Sequence, residues 1–282
     1  MTSTTASSAV TLHEAAEELG VHYMTAYRYV RLGLLAASKS GGVWQVEVAD
    51  LAEFKAGGPT SPQPARGSQR RAPWADRLEA RLIAGDAHGA WGVIEAAMTA
   101  GVGLERVYGE VLSPALAQIG ARWERNELDI SVEHRASGIA MRIIGRLGPR
   151  FIGRGRTRGA VLLGSPAGER HSLPLAMLAD LIRLQRWDVS DLGADVPTHS
   201  FVHAAIATPD LAAVGVSVMV PSSLEAAAAT CGALRAALPN LMVVAGGAAV
   251  RDHQHALDLG STAYASSSDE FTTLLDAWRA GN

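Results

Sequence analysis

Beyond Gly159 the apolar residues change rhythm, and that change limits the folds open to the chain more than any other feature. Short apolar runs near 160–163, 187–190, 213–218, 242–245 and 263–265 alternate with segments of helical spacing near 173–184, 199–207, 223–237, 251–258 and 269–280. Apolar runs of this kind suit strands covered on both faces. A helix after each strand requires crossover connections, so neighbouring strands run parallel. The expected product is a five-stranded parallel sheet with helices on both sides. Ligands of such sheets lie beyond the carboxyl ends of the strands, where the strand order reverses.

The rest of the chain divides by the same criterion. From Trp74 to about Phe151 the period is helical: Val107, Val111, Leu112, Leu116, Ile119 and Trp123 recur at three and four, as do Val132, Ala136, Ile139, Ala140, Ile143, Ile144 and Leu147. Breaks at Gly101–Gly103 and Asn126–Asp129 imply about four helices packed as a bundle. Ser113-Pro114 either starts a helix or kinks a longer one. Residues 56–73 are dominated by Pro, Gly and Ser and read as a flexible linker. The expected domains are therefore 1–55, a linker at 56–73, a bundle at 74–152 and an α/β domain at 153–282.

Composition narrows the class. With 48% hydrophobic residues the chain can bury substantial cores, and its single cysteine, Cys231, excludes an internal disulfide or a Cys-rich zinc site. No apolar run approaches the roughly 18 residues of a membrane span, and the first ten residues lack the basic and apolar regions of a signal peptide. The expectation is a cytoplasmic protein with no membrane partner.

In residues 1–55, Thr11 and Glu14 are spaced as a capping box before the apolar face Leu12, Ala15, Ala16 and Leu19. A turn at Gly20-Val21 and a second helix from about His22 to Leu32 complete a helix-turn-helix. "KSGGVWQV" reads as a two-stranded wing turning at Gly41-Gly42, and "VADLAEF" as a closing helix. Tyr23, Thr25, Tyr27, Arg28 and Arg31 on the second helix, with Lys39 on the wing, are types that touch phosphates and base edges. Residues 1–55 carry four Lys/Arg against six acids, yet three of the four bases fall on the second helix and wing, and the linker adds Arg66, Arg70 and Arg71. The stretch resembles the MerR/excisionase class of winged DNA-binding domains, with a double-stranded operator as partner. One such domain offers few contacts, so useful affinity calls for a homo-oligomer, a dimer or tetramer.

"GSPAGERHSLPLAML" follows the first apolar run of the α/β part. A neutral imidazole is a good transition-metal ligand, and a carboxylate two residues away can fix its tautomer. Glu169-x-His171 supplies that pair, though the spacing alone also suits a surface histidine. "ERHSLP" resembles the D/E-x-H-x-x-G signature of cobalamin-binding domains of flavodoxin/Rossmann-like fold. "VGVSVMVPSS" and "VVAGGAAV" resemble the family's serine loop and Gly-Gly turn. The resemblance implies that His171 is the lower axial ligand of cobalt, oriented by Glu169. It further implies that Ser217 hydrogen-bonds the detached nucleotide tail and that Gly246 and Gly247 leave room for its base. Pro174 stands where the family has glycine.

"WERNELDISVEH" separates Trp123 from Glu133-His134 by nine residues. That pattern resembles the CarH/LitR-type, light-responsive B12-dependent regulators, whose bundle covers the upper face of the corrin. The resemblance implies a repressor holding adenosylcobalamin, or alternatively methylcobalamin, with Trp123, Glu133 and His134 against the upper ligand. Glu124 occupies the position where photoreceptor members commonly place a second cobalt-binding histidine. Rival readings are a corrinoid protein serving a methyltransferase, and a DNA-binding regulator that senses haem, or cobalamin without light. His253 and His255, two apart on a helix, cannot face one metal, and the Glu105 and Glu110 carboxylates read as helix surface. No P-loop, dinucleotide-binding glycine motif or nucleophile elbow occurs.

Overall fold

The computed structural model describes residues 9–21, 23–31, 35–40, 43–57 and 73–281. The chain divides into two compact units, Met1–Ala72 and Pro73–Asn282. The Gly41-Gly42 turn and most of the expected linker, residues 58–72, lie outside the described residues.

The first unit contains β1 (Ala9–Thr11), α1 (Leu12–Glu18), α2 (Tyr23–Arg31), β2 (Ser38–Ser40), β3 (Val43–Glu47) and α3 (Val48–Gly57). Thr11 accepts from the Glu14 amide while Glu14 accepts from the Thr11 amide at 2.7 Å, so the capping box expected from spacing closes in both directions. Leu12, Ala15, Ala16, Ala26, Leu35, Val46 and Leu51 form its core. The wing has a third strand that the sequence reading lacked: β3 pairs antiparallel with both β2 and β1. Three residues are too few for an alternation signal, which is why β1 escaped notice.

The second unit opens with α4 (Trp74–Ala84), α5 (Ala87–Thr99), α6 (Leu104–Arg106), a π-helical stretch (Val107–Leu112), α7 (Ser113–Glu124), α8 (Ile130–Leu147) and a 3-10 turn (Gly148–Phe151). Asp86 and Asp129 accept from the amides of Gly89 and Ser131 at 2.8 Å and cap α5 and α8. A further break, not expected, falls at Gly85, whose φ of +74° ends α4 in a left-handed turn. Ser113-Pro114 lies inside a longer continuous helical run rather than starting a helix. Pro114 has no N–H and its ring crowds the carbonyl four residues back. The chain widens just before it, with the Ser113 amide donating to the Tyr108 carbonyl five residues earlier.

The α/β part follows as β4 (Ala160–Gly164), α9 (Leu173–Leu184), β5 (Asp188–Asp191), α10 (Thr198–Ala207), β6 (Leu211–Ser217), a 3-10 turn (Pro221–Ser223), α11 (Leu224–Ala237), β7 (Met242–Gly246), α12 (His253–Asp258), β8 (Ala263–Ala265) and α13 (Ser268–Gly281). All five strands are parallel, in the order β5-β4-β6-β7-β8. The doubly wound sheet expected from the alternating pattern is thus present, and its order reverses between β4 and β6. One face packs on α9 and α13 through Leu175, Ala179, Ile182, Phe271 and Leu275. The other packs on α10, α11 and α12 through Phe201, Ala205, Cys231, Leu234 and Ala256.

Bundle and sheet meet through a buried polar contact. The Tyr108 hydroxyl donates to Asp180 Oδ2 at 2.7 Å, Arg183 donates to Asp180 Oδ1 at 3.0 Å, and Arg183 also reaches the Val189 carbonyl at 3.0 Å. Tyr108 stacks on Phe151 with ring centroids 4.6 Å apart, and Met177 of α9 joins the core of the bundle. Burial, then the Asp180 carboxylate, pushes the Tyr108 phenol far above its ordinary value, so it stays a hydrogen-bond donor.

Replacing Tyr108 by Phe leaves a buried carboxylate oxygen short of one donor and costs about 1–3 kcal/mol, to be read from urea midpoints. Burial likewise pushes the Cys231 thiol up to about 12. The native protein should therefore resist a disulfide reagent at pH 8, with a labelling rate that rises with denaturant as the α/β core opens.

Candidate functional site

The carboxyl ends of β4, β6, β7 and β8 converge on one edge of the second unit, and the loop after β4 carries Glu169 and His171. Gly168, with φ of +84°, turns that loop, and its amide donates to Asp195 Oδ1 at 2.7 Å. The Asp195 amide donates back to the Glu169 carbonyl at 2.8 Å, the Val196 amide to the Ser165 carbonyl at 2.9 Å, and the Ser165 amide to the Gly193 carbonyl at 2.9 Å. The β4 loop is therefore laced to the β5 loop. None of these partners was legible in the sequence, because they lie about 27 residues apart and involve mostly backbone.

Glu169 is fully buried, and its two oxygens accept four hydrogen bonds. Oε1 receives His171 Nδ1 at 2.5 Å and the His171 amide at 3.0 Å. Oε2 receives the amides of Met219 at 2.7 Å and Val220 at 3.0 Å, from the loop after β6. Burial alone would raise this carboxyl, but the His171 ring and the three amides outweigh it and hold the group below its ordinary value of 4.5. With Nδ1 facing an anionic acceptor, Nε2 is the ring nitrogen left for a further ligand, and it carries the lone pair in the tautomer that donates from Nδ1. The His171 side chain is 52% exposed, and Nε2 has no protein partner among the described residues.

Beside this pair lies a cavity of about 310 Å³ between the bundle and the sheet. Ser217, Gly246, Gly247 and Pro174 line it from the α/β side, and Tyr108, Gly109 and Ser113 line it from the bundle. A Cβ on Gly246 would stand 2.4 Å from the Ala265 carbonyl oxygen, and one on Gly247, at φ of +100°, 2.4 Å from that of Val218. Close approach of neighbouring loops therefore accounts for both glycines, as well as the open space beside them. Pro174 sits in the first turn of α9, where a missing N–H costs nothing. Ser266, Ser267 and Ser268 after β8 also line the cavity, and the run of serines at a strand end is the sequence signal for that edge.

The bundle candidates stand apart from that cavity. Trp123, near the end of α7, is 41% exposed, and Glu124 beside it is exposed. On α8, Glu133 accepts from the Ser137 hydroxyl at 2.6 Å and contacts His134 Nδ1 at 2.7 Å, and His134 faces solvent. The cavity lining includes none of the three. His253 is exposed and His255 accepts the Arg251 amide, so these two form no common site. Among the described residues no three His, Cys, Asp or Glu side chains gather where a bare metal ion could bind. A metal at His171 would have to bring its other ligands with it, as a metal in a macrocycle does. The donor set fits that kind of group: one oriented imidazole facing out, with an adjoining slot for an appended moiety.

In the first unit, Tyr23 and Tyr27 stack with centroids 6.4 Å apart, and Tyr23 lies 5.7 Å from His13. Tyr23, Thr25 and Tyr27 are each half-buried on α2, so both tyrosines also support the core. The side chains of Arg28, Arg31 and Lys39 lie outside the described ones.

Comparison with known proteins gives a family for each part. Residues 159–272 match the B12 binding domain, residues 74–147 a second B12 binding domain family, and residues 9–59 a helix-turn-helix domain. The chain is 36% identical over 152 residues to the HTH-type transcriptional repressor CarH of Myxococcus xanthus, covering 53% of this chain and 49% of that one. The HTH-type repressor CarA of the same organism is 31% identical over 168 residues, covering 58% of this chain and 54% of the relative. The chain thus spans about half the length of the curated CarH-type relatives it matches. A solved structure, the Methanosarcina barkeri monomethylamine corrinoid protein, shares the fold with a TM-score of 0.64 at 17% identity, covering 72% of this chain and 98% of that one. No helix among the described residues is long and apolar enough to cross a membrane.

A carboxyl whose folded value is lowered contributes stability above its unfolded value, and that contribution disappears as pH falls through the folded one. Glu169→Gln should therefore be less stable than the wild type at pH 7, because Gln offers one acceptor oxygen to two sets of donors, and the gap should narrow below about pH 4.5. Urea titrations between pH 7 and 3 would check both signs.

Proposed function

We propose that the chain is a cobalamin-dependent transcriptional regulator, a repressor that holds operator DNA through its helix-turn-helix as a homo-oligomer and catalyses no reaction. The observation that carries this reading is His171, locked through Nδ1 to a buried carboxylate with Nε2 left free, in a chain that also contains a DNA-binding fold. His171 would hold cobalt from below and Glu169 would keep the ring in the tautomer that presents Nε2. Ser217, the serines after β8 and the space beside Gly246 and Gly247 would take the appended nucleotide. Trp123, Glu133 and His134 would cover the upper ligand. Bound adenosylcobalamin supplies a cobalt–carbon bond that light can break. Without the group that it would cover, Trp123 would lose a packing partner, and the bundle would be free to shift against the α/β domain and loosen the oligomer that brings several DNA heads together. Because Glu124 stands where photoreceptor members commonly have histidine, the scheme includes no second histidine on cobalt from that position.

The same bundle-and-sheet fold occurs in a corrinoid protein, which leaves a methyl carrier as the second reading. The helix-turn-helix argues against it, since a carrier has no use for base-reading residues.

Two measurements test the proposal. With ring-15N histidine in the protein, the spectrum of bound cob(II)alamin should show a protein nitrogen on cobalt; His171→Ala should lose that splitting and at least about tenfold in affinity. Equal retention of cobalamin by the variant overturns the ligand assignment. Green light should change the size of the adenosylcobalamin-loaded protein and weaken its hold on duplexes selected from a random pool. Unchanged size and affinity would eliminate the light switch and leave the cofactor site standing.

A further inference from the structure

Charge in this protein is uneven in a way the cofactor site does not explain. The chain is formally −3, yet residues 135–168 contain seven arginines and no Asp or Glu. Arg135, Arg142 and Arg146 fall seven and four apart on α8, which places them on one helical stripe. Arg150 continues it in the 3-10 turn, and Arg154, Arg156 and Arg158 follow in the loop leading to β4.

The loop is built to display these groups. The Arg158 amide donates to the Arg186 carbonyl at 2.9 Å, its guanidinium pairs with Asp276 and lies over the Trp187 ring, and its carbonyl accepts from Arg279 at 2.8 Å. A Cβ on Gly153 would stand 2.7 Å from the Arg186 side-chain stem, so glycine lets the loop lie directly on that stem. Arg158 is used up as the anchor. Arg154, Arg156 and Arg186 are exposed, and their guanidinium groups make no hydrogen bond or ion pair with the described residues, while that of Arg150 reaches only the Met98 sulfur. The acids at the neighbouring strand starts, Asp188 and Asp210, are exposed and do not neutralise the four.

We infer that Arg150, Arg154, Arg156 and Arg186 form a second nucleic-acid contact, binding the phosphate backbone of double-stranded DNA without reading its sequence. The patch lies at the amino ends of β4 and β5, the edge opposite the one that carries Glu169 and His171. Guanidinium groups on a glycine-rich loop suit phosphates, which they can meet in fork geometry. A duplex held by the helix-turn-helix of the same chain is presented to this patch at high effective concentration, so a weak backbone contact adds to the total. The inference rests on the DNA-binding reading above.

The test uses the full chain and an arbitrary 30-base-pair duplex, with binding followed from about 50 to 300 mM KCl. Releasing four phosphate contacts should lower the magnitude of the slope of log K against log [KCl] by about 3.6 in Arg150→Gln/Arg154→Gln/Arg156→Gln/Arg186→Gln, and weaken binding at least about tenfold at 100 mM. If that variant does not fold, Arg154→Gln/Arg156→Gln alone should lower the slope by about 2. Wild-type binding with an unchanged slope in the variant overturns this inference and leaves the helix-turn-helix reading intact. No binding by the wild type overturns both. Loss of binding to phosphatidylserine vesicles with the DNA slope retained would also overturn it, in favour of a membrane.

Discussion

The carboxylate of Glu169 is the centre on which the crevice depends. A buried anion is tolerated only when its lone pairs are satisfied, and here the donors come from two different strand-end loops. One oxygen fixes the His171 ring and the other draws in the backbone after β6. The charge therefore performs two tasks at once. It orients an imidazole and it clamps the β4 and β6 loops across the place where strand order reverses, which is where a doubly wound sheet holds its ligand. Removing the carboxylate would leave the histidine in place but free to turn, and the amides of His171, Met219 and Val220 without their acceptor.

A second buried polar contact has a different role. Tyr108 and Asp180 join the bundle to α9, and Tyr108 also lines the cavity beside Ser217. The helical half and the sheet are thus coupled through a residue that borders the space proposed for the ligand. Whatever fills that space presses on the contact between the two halves, which gives a physical route from occupancy to their relative position. Interfaces and packed cores of this kind change between discrete arrangements rather than deforming continuously.

Much of this was legible in the sequence, and for definite reasons. The parallel sheet followed from alternating periods, and Glu169 and His171 were visible because they sit two residues apart in one loop. The bundle's breaks at Gly101–Gly103 and Asn126–Asp129 were likewise local signals. Contacts between distant segments were not legible. Nothing near Asp195 announces that it braces the Glu169 loop, and nothing near Asp180 announces a tyrosine 72 residues away. The role of Gly246 and Gly247 was read as room for a ligand, whereas the backbones of Ala265 and Val218 already exclude side chains there. β1 was too short to register, and the widened turn before Pro114 has no sequence signature beyond the proline itself.

That widened turn fixes an angle as well as relieving a clash. Each residue of an α-helix advances the chain by about 100°, so a π-helical stretch, with one residue more than a regular turn, rotates everything after it. Trp123 follows ten residues beyond Ser113 on the same continuous helix. Its azimuth, and hence which neighbour the indole can meet, is set by a single extra peptide at Val107–Leu112. Regularising that turn would swing the indole more than a quarter of the way around the helix, and would carry the buried Ala115 and Ile119 of the same helix round with it.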